Sequence, residues 1–421
     1  MKKTLIFVLI ITIIFFKGFA NIHITGNYWI NDNYHNSIKT VQCHVKGWPL
    51  SDPVIKLNSD EVIYFSFDNL NSQPQSFYYT VKHCNSKWET SNLNEFEYID
   101  GYYYSTITNY KNSFNTTIDY VHYSLEIPNH EIRLKSSGNY LLLISDNPDF
   151  KNIIIAQKFY IYENLLDISS EIKKPSNAFL MKTHQKINFK INIKNFYLKN
   201  PYDDLIVIIK QNFREDNQIN NLKPLFVTNE YLDYSYDTET CFEGLNEFRY
   251  FDIKSTRYIA EYVDNIEFKN PYYYVYLKPC NPRYFTPYFY SKDLNGKYLI
   301  DVQEGRNPET DADYLFVNFI LKADLPYIEG DVFVFGSFTG WSDNKNYKMN
   351  YNIDKKQYEL TCLLKQGYYN YFFCIKNNNN FFNCRTIEGS HFETTNDYYI
   401  FVYYVDYTSK FERLIGYKKL N

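Results

Sequence analysis

The stretch VFVFGSFTGW at positions 332–341 decides how this chain is read. Val and Phe alternate over its first four residues, and a Gly-containing turn then leads to Trp341. Two more alternating runs follow at 357–364 and 369–375, joined by the short segment KQGY. Alternation with a period of two, rich in aromatic and β-branched residues and interrupted by Gly and Asn, is typical of half-buried antiparallel strands. The stretch therefore predicts a β-sandwich.

The composition extends this prediction to the whole chain. Aromatic residues make up 20% of the 421 residues, with 45 Tyr and 34 Phe, which is far more than a helical protein uses. Aromatic side chains favour strands, and Tyr can bury its ring while its hydroxyl stays in water. A domain of roughly 150 residues is a common size, so the length suggests about three domains. We predict an all-β protein of three consecutive immunoglobulin-like or early-set β-sandwich domains after a signal peptide.

The first twenty residues have the features of a secretory signal peptide. Two lysines precede an apolar run at 5–16, and small residues end at Ala20. This order predicts cleavage between Ala20 and Asn21 and export of the mature chain. The apolar run is too short to cross a bilayer comfortably, so no membrane span is expected after cleavage. The formal net charge of −4 argues against a nucleic acid as partner.

Polar and Pro-containing breaks divide the mature chain. The first sandwich carries a long aromatic insert at 85–122, which fits either a functional loop or a lid over the sandwich edge. In the second sandwich, the continuous apolar run at 205–210 predicts a strand buried on both faces. The predicted organisation is a signal peptide at 1–20, a first sandwich at 21–164, a linker at 165–177, a second sandwich at 178–303 and a C-terminal early-set sandwich at 304–421.

No residue pattern indicates catalysis. The sequence contains no Gly-x-Ser-x-Gly, no His-Glu-x-x-His and no phosphate-binding Gly-rich loop that enters a helix, and its eight His are scattered. We therefore expect a non-enzymatic protein without a cofactor or metal. Glu247, Arg249 and Asp252 fit a ligand site, but we favour a structural interpretation in which a carboxylate holds Arg249 at a sheet edge or domain junction.

The seven Cys leave at least one thiol unpaired. The favoured interpretation is that they are free and act as small buried hydrophobic residues. One disulfide in each domain is the alternative, and the spacing does not fix any pairing. Zinc-site spacing is absent from the sequence.

The C-terminal region resembles the early-set sandwiches of the glycogen-binding module family. In that family a Trp at the position of Trp341 contacts sugar, and a second Trp follows the last hairpin. The corresponding segment here, 377–382, contains no Trp. The resemblance rests on Val332, 335–338, Trp341, Met349, Leu363 and 367–371.

A longer resemblance covers nearly the whole mature chain. In order and type, its motifs are similar to those of the type IX secretion system plug protein family of Bacteroidota, formerly a domain of unknown function. These motifs are 38–42, 47–48, 78–80, 83–84 with Trp88, 97–101, 113–116, 137–141, 246–255 and 336–341.

This second resemblance implies a non-enzymatic role in the periplasm. Proteins of that family close the periplasmic mouth of an outer-membrane translocon β-barrel when no cargo occupies it. The aromatic run of the insert, Tyr102, Tyr103 and Tyr104, is the predicted contact with that partner. The alternative function is an exported glycan-binding module built around Trp341. Alternating aromatic strands also build small outer-membrane barrels, but short, irregularly spaced strands argue against that architecture.

Overall fold

The computed structural model describes residues 26–379, 381–406 and 411–421. The predicted cleavage site between Ala20 and Asn21 lies outside these residues. Strands dominate the described chain, and each of its α-helices has only four residues, so the all-β prediction is confirmed. Within the described chain, no helix has the length and apolar character needed to cross a membrane. The short 3₁₀ turns are Asp32–Tyr34, Ser337–Thr339 and Lys345–Tyr347.

The first sandwich contains strands β1 to β12. One sheet has the order β1-β12-β11-β5-β7 with β3 parallel to β12, the facing sheet has the order β2-β4-β9-β8, and β6 pairs with β10. Phe67 and Tyr123 of one sheet pack in a single core with Val81 and Leu142 of the other. The elements are β1 Tyr28–Ile30, β2 Ile38–Val45, β3 Val54–Lys56, β4 Ile63–Asn69, β5 Tyr78–Cys84, α1 Glu95–Tyr98, β6 Ile99–Gly101, β7 Ser105–Thr106, β8 Asn109–Asn112, β9 Val121–Ile127, β10 Ile132–Leu134, β11 Gly138–Ser145 and β12 Ile153–Tyr162.

The second sandwich begins with a strand where the sequence predicts a linker. The segment at 165–177 contains β13, which pairs with β14 along its whole length, so the predicted linker is wrong. Ile168 is buried between exposed Asp167 and Ser169, and this short alternation is hard to recognise beside the charged residues that follow. The elements are β13 Asp167–Lys173, β14 His184–Asn192, α2 Pro201–Asp204, β15 Leu205–Gln211, β16 Phe226–Val227, β17 Tyr231–Asp233 and β18 Cys241–Glu243.

The third sandwich is organised around one long strand, β27. Its first half pairs with β19 and β22, and its second half pairs with β24 and β28. The facing sheet has the order β20-β21-β23-β26-β25. The elements are β19 Arg249–Asp252, β20 Val263–Lys269, β21 Tyr272–Leu277, β22 Tyr298–Ile300, α3 Pro308–Asp311, β23 Tyr314–Lys322, β24 Gly330–Phe335, β25 Asn350–Asn352, β26 Gln357–Lys365, β27 Gly367–Asn377, β28 Phe382–Asn383 and α4 Arg385–Glu388.

The last two strands return to the second sandwich. β29 (Tyr398–Asp406) and β30 (Phe411–Leu420) complete a sheet of order β15-β29-β30. The boundary predicted between 178–303 and 304–421 is therefore wrong in two ways: β19 to β22 belong to the third sandwich, and β29 and β30 belong to the second. Alternation identifies a strand but does not identify its neighbour in a sheet.

Strand β29 is buried on both faces. Ile400 and Val402 lie in the core of the second sandwich, whereas Phe401 and Tyr403 pack with Tyr160 of the first. The neighbouring strand β15 does the same, which confirms the prediction for 205–210. Two sandwiches thus meet across an apolar layer, with the ring centroids of Tyr160 and Phe401 4.9 Å apart.

A buried carboxylate lies at this junction. Glu215, from the loop after β15, forms ion pairs with Lys158 of β12 and Lys210 of β15, and all three side chains are almost fully buried. Lys210 Nζ also donates to Tyr160 Oη at 2.6 Å. Burial opposes the charge of Glu215, but the two ammonium groups lower the pKa of its carboxyl to about 2.

A second buried carboxylate joins the first and third sandwiches. Asp68 of β4 accepts from His122 Nδ1 at 2.6 Å, from Lys365 Nζ at 2.7 Å and from Tyr314 Oη at 2.7 Å. Lys365 and Tyr314 belong to the third sandwich. Burial again opposes ionisation, yet Lys365 and His122 hold the pKa of Asp68 below its usual value. We call the sites around Glu215 and Asp68 the two ionic clamps.

The cysteines are mostly free thiols, as the sequence analysis favours. Cys374 and Cys384 are the exception, because they form a disulfide that ties β27 to the segment after β28. The five free cysteines are Cys43, Cys84, Cys241, Cys280 and Cys362.

Replacing Glu215 by Gln should lower the free energy of unfolding by about 3–5 kcal/mol, because two buried ammonium groups would lose their counter-ion. Urea unfolding of the whole protein measures the change. The control is Glu230→Gln, at an exposed position, where we expect a change within about 0.5 kcal/mol. A loss at Glu215 below about 1 kcal/mol would contradict the structural role assigned to the clamp.

Candidate functional site

Trp341, the predicted sugar contact of the alternative function, is buried. Only 2% of it is exposed, and its ring packs against Phe335 at 5.2 Å and Phe248 at 6.0 Å between centroids. The guanidinium of Arg214, from the second sandwich, lies 5.5 Å above the same ring. Gly296 approaches so closely that a Cβ there would lie 2.3 Å from the indole. The prediction of a glycan site at Trp341 is wrong, since no face of the indole is free to stack on a sugar.

The turn that carries Trp341 instead connects parts of the fold. Asn27 N donates to Gly340 O at 3.0 Å, and Tyr28 Oη donates to Phe338 O at 3.0 Å. Gly340 has a φ of 72°, a conformation that favours glycine. The sequence motif 336–341 therefore marks a junction between the start of the described chain and the second and third sandwiches.

Tyr102, Tyr103 and Tyr104 are exposed, as a partner-contact surface requires. They connect β6 to β7, and each is about half or more exposed. The backbone beneath them is fixed, because Tyr102 N donates to Glu131 O at 2.8 Å and Thr80 Oγ1 donates to Tyr103 O at 2.6 Å. The structure therefore presents three rings in a defined arrangement on the surface of the first sandwich.

Gly101 lets this segment approach its neighbour. Its φ is 120°, and a Cβ at this position would lie 2.1 Å from Glu131 O. Any other residue would push the tyrosine segment away from β10, so the glycine is needed for the close approach.

The second half of the aromatic insert has a structural task. Phe114 N donates to Thr310 O at 2.9 Å, Thr117 N donates to Asp313 Oδ2 at 2.9 Å, and Tyr120 Oη donates to Ala312 O at 2.8 Å. These contacts join residues 114–120 of the first sandwich to residues 310–313 of the third. The insert thus combines an exposed tyrosine segment with an internal brace, and it contains the short strands β6, β7 and β8.

A second exposed aromatic segment was missed by the sequence analysis. The loop at 281–297, here called the aromatic loop, connects β21 to β22 and exposes Tyr284, Phe285, Phe289 and Tyr290. Its sequence, NPRYFTPYFY at 281–290, contains two Pro and five aromatic residues, a signal that was available in the sequence. Contiguous exposed aromatic side chains mark interaction surfaces in soluble proteins.

The aromatic loop is anchored through Glu388. This carboxylate is fully buried and accepts from Arg249 Nε at 3.0 Å, Arg283 Nε at 2.7 Å and Phe373 N at 2.9 Å. Although burial opposes ionisation, the two guanidinium groups lower the pKa of Glu388. The structural interpretation of Arg249 is confirmed: a carboxylate holds it beside β27.

The far end of the aromatic loop is held by Asp293, a carboxyl group that, unlike Glu388, is bonded among the described residues to backbone amides and not to a cation. Asp293 accepts from Phe248 N and, at 2.8 Å, from Asn295 N, and none of the ion pairs among the described residues involves it. Burial and the nearby charge of Glu247 raise the pKa of Asp293 to about 7, against the effect of its backbone donors. The anchor of this end therefore changes its charge near neutral pH.

The described residues offer no metal-binding site. Within them, no group of three or more His, Cys, Asp or Glu side chains is arranged to hold a metal ion. The carboxyl groups of Glu388 and Asp293 at the aromatic loop instead accept from backbone amides and, for Glu388, from guanidinium groups.

Two comparisons identify similar proteins. The family model described as type 9 secretion system plug protein, 1st domain, matches residues 38–163. A solved structure, the crystal structure of a hypothetical protein from Parabacteroides merdae ATCC 43184 at 2.30 Å resolution, is 34% identical and superposes with a TM-score of 0.90. The alignment covers 94% of this chain and 100% of that one. No curated protein matches.

Replacing Trp341 by Ala should lower the free energy of unfolding by about 3–5 kcal/mol, because a large buried ring is removed from the junction. Trp48→Ala is the matched control, since Trp48 is 71% exposed, and its effect should stay within about 0.5 kcal/mol. Equal unfolding midpoints for the two variants would contradict the junction role.

Asp293 should make the stability depend on pH near neutrality. In the folded protein its carboxyl stays protonated at a pH at which the unfolded chain has released that proton, so the folded state binds more protons. Stability therefore falls as the pH rises from about 4 through about 7. Compared with Asp293→Asn, the wild-type free energy of unfolding should decrease between about pH 5 and pH 8 in urea titrations.

The control for this titration is Asp264→Asn, at an exposed position. Its free energy of unfolding should depend on pH as that of the wild type does. The lowered pKa values of Asp68, Glu215 and Glu388 confine their own effects to more acidic solutions. Parallel curves for the wild type and Asp293→Asn would show that Asp293 does not titrate in this range.

Proposed function

This chain belongs to the type 9 secretion system plug protein family, and from that premise we propose that it closes the periplasmic mouth of the system's outer-membrane translocon barrel when no cargo occupies the pore. A role in the type 9 secretion system follows from the family. The closing of the pore, the barrel as direct partner and the periplasm as the site of action are parts of the proposal.

The observation that carries the proposal is the way the three sandwiches are joined. The clamp at Glu215 fixes the second sandwich to the first, and the clamp at Asp68 fixes the third sandwich to the first. A plug has to resist deformation while it fills an opening. Buried ion pairs resist separation strongly, because breaking one leaves a charge without its partner in a medium of low dielectric constant. The joined sandwiches suit this task.

We propose that the role is non-enzymatic and needs no cofactor. Closing a pore requires bulk and many broad contacts, whereas reactive groups add nothing to it. Tyrosine-rich surfaces provide large contact areas at a low cost in side-chain entropy. The exposed rings of Tyr102, Tyr103 and Tyr104 on their fixed backbone are the contact surface that we assign to the barrel.

The double substitution Tyr102→Ser with Tyr103→Ser tests this surface. We expect co-purification of the translocon barrel with the tagged protein to fall about tenfold or more, because two exposed aromatic anchors would be lost at the contact. Cells that carry only this variant should also admit a large hydrophilic dye that wild-type cells exclude, with a deletion strain as the reference for an open pore.

The control is Tyr197→Ser with Tyr258→Ser, which removes two exposed tyrosines outside this segment. If the Tyr102 and Tyr103 variant co-purified the barrel as well as the wild type does, these tyrosines would not be the contact surface, but the proposed plugging would still stand. Exclusion of the dye by the deletion strain would contradict the plugging itself.

A further inference from the structure

A large open cleft lies beside the aromatic loop. It has a volume of about 1120 Å³ and is bounded by the start of the aromatic loop, by α4 and the residues that follow it, and by the loops that follow β23 and β25. Small-molecule sites have volumes of roughly 300–1,000 Å³ and are mostly enclosed. An open cleft of this size is better suited to a stretch of polypeptide than to a small ligand.

The charge of the cleft has the opposite sign to that of the protein. The chain as a whole is acidic, with a formal net charge of −4. Basic side chains outnumber acidic ones two to one in the cleft, which concentrates anionic groups there. The charged lining residues are Lys322, Lys355, Lys356 and Arg385 against Asp324 and Glu329.

Lys355 is already paired with Glu359 at 3.1 Å, so the positive charge available to a ligand comes from the other three cations. Lys322 Nζ donates to the neutral amide oxygen of Gln357, and no ion pair among the described residues involves Lys356. Among the described residues, the ion pair of Arg385 is with one partly exposed carboxylate, Glu243, at 3.3 Å. Exposed pairs of this kind contribute about 1 kcal/mol or less, so an incoming carboxylate can replace them.

Apolar side chains surround the charged lining. Tyr284 and Leu325 line the cleft and are exposed. Phe285, next to Tyr284, and Ile328, three residues after Leu325, are more exposed still. The rings of Tyr284 and Phe285 lie 4.0 Å apart. The cleft therefore combines cationic groups with apolar surface at its margin.

Both walls are held in place without a ligand. On one side, Arg283 is fixed by Glu388 and its own amide donates to Ile387 O at 2.6 Å. On the other side, Tyr351 Oη donates to Asp324 O at 3.0 Å and Tyr327 N donates to Tyr358 Oη at 2.7 Å. A preformed site loses little conformational entropy on binding.

We propose that this cleft binds an extended acidic segment of another polypeptide that also carries aromatic or aliphatic side chains. Carboxylates of the segment pair with Lys322, Lys356 and Arg385, while its apolar side chains contact Leu325 and Tyr284. Alternation of the two kinds of side chain lets an extended chain present acids to the lining and apolar groups to the margin. The proposal does not depend on the plugging of a pore.

The probe is a synthetic peptide that alternates Glu with Phe and Leu, and its counterpart has Lys in place of Glu. We expect the acidic peptide to bind the full chain in fluorescence anisotropy, with an affinity that weakens as salt is added, and the basic peptide not to bind. Lys322→Glu with Lys356→Glu should weaken binding about tenfold or more. Leu325→Ser, which leaves the charge unchanged, should weaken it severalfold.

The matched control is Lys194→Glu with Lys199→Glu, which makes the same change in net charge at two exposed residues that do not line the cleft. It should bind the acidic peptide as the wild type does. Binding of both peptides alike, or equal losses in the control and cleft variants, would overturn the proposal. Displacement of the peptide by polygalacturonate at equal charge would overturn it too, because the cleft would then accept any polyanion.

Discussion

The structure depends on carboxylates that are buried at the contacts between its sandwiches. Away from water, Glu215 pairs with Lys158 and Lys210 of two sandwiches, and Asp68 of the first sandwich pairs with Lys365 of the third. Removing such groups from water costs several kcal/mol each, and their mutual attraction offsets that cost only when the geometry is good. Apolar side chains of similar volume would serve stability as well. Ion pairs also restrict the geometry of the contact, because a displaced sandwich would leave a buried charge without a partner. We infer that the clamps fix the relative position of the sandwiches more than they add to stability.

The chain strengthens the same junctions with ordinary packing. Over Tyr398–Tyr403, strand β29 is buried on both faces: its even-numbered side chains fill the second sandwich, and its odd-numbered ones pack against the first. The Trp341 turn does the same at another junction, where Arg214 of the second sandwich covers aromatic rings of the third. A motif that resembles a sugar site in sequence has therefore been used here to join parts of one protein. The same aromatic residues could serve either a sugar site or a packed junction, and only their burial distinguishes the two roles.

Local patterns in the sequence predicted the strands well: the alternating runs at 357–364 and 369–375 lie within β26 and β27. These local patterns did not predict which strands pair with each other in a sheet. The charged residues of β13 hid a short edge strand, and nothing local to Tyr398 shows that its strand pairs with β15 rather than with a strand of the third sandwich. The exposure of Tyr102 to Tyr104 agreed with the sequence, while the burial of Trp341 depends on Gly296 and Arg214, which are distant along the chain. The clamps were invisible for the same reason, since Asp68 and Lys365 are almost three hundred residues apart.

The return of β29 and β30 to the second sandwich also governs how the protein reaches its native state. While the polypeptide is being made, the sheet at β15 lacks its neighbours, so the second sandwich stays incomplete until nearly two hundred more residues have followed. Contacts between such distant segments form slowly, since a long loop must close first. Until then an apolar strand edge is open to wrong pairing and aggregation. Assembly is thus completed late and cooperatively, and a chain cut short before β29 would lack a sheet of its middle sandwich.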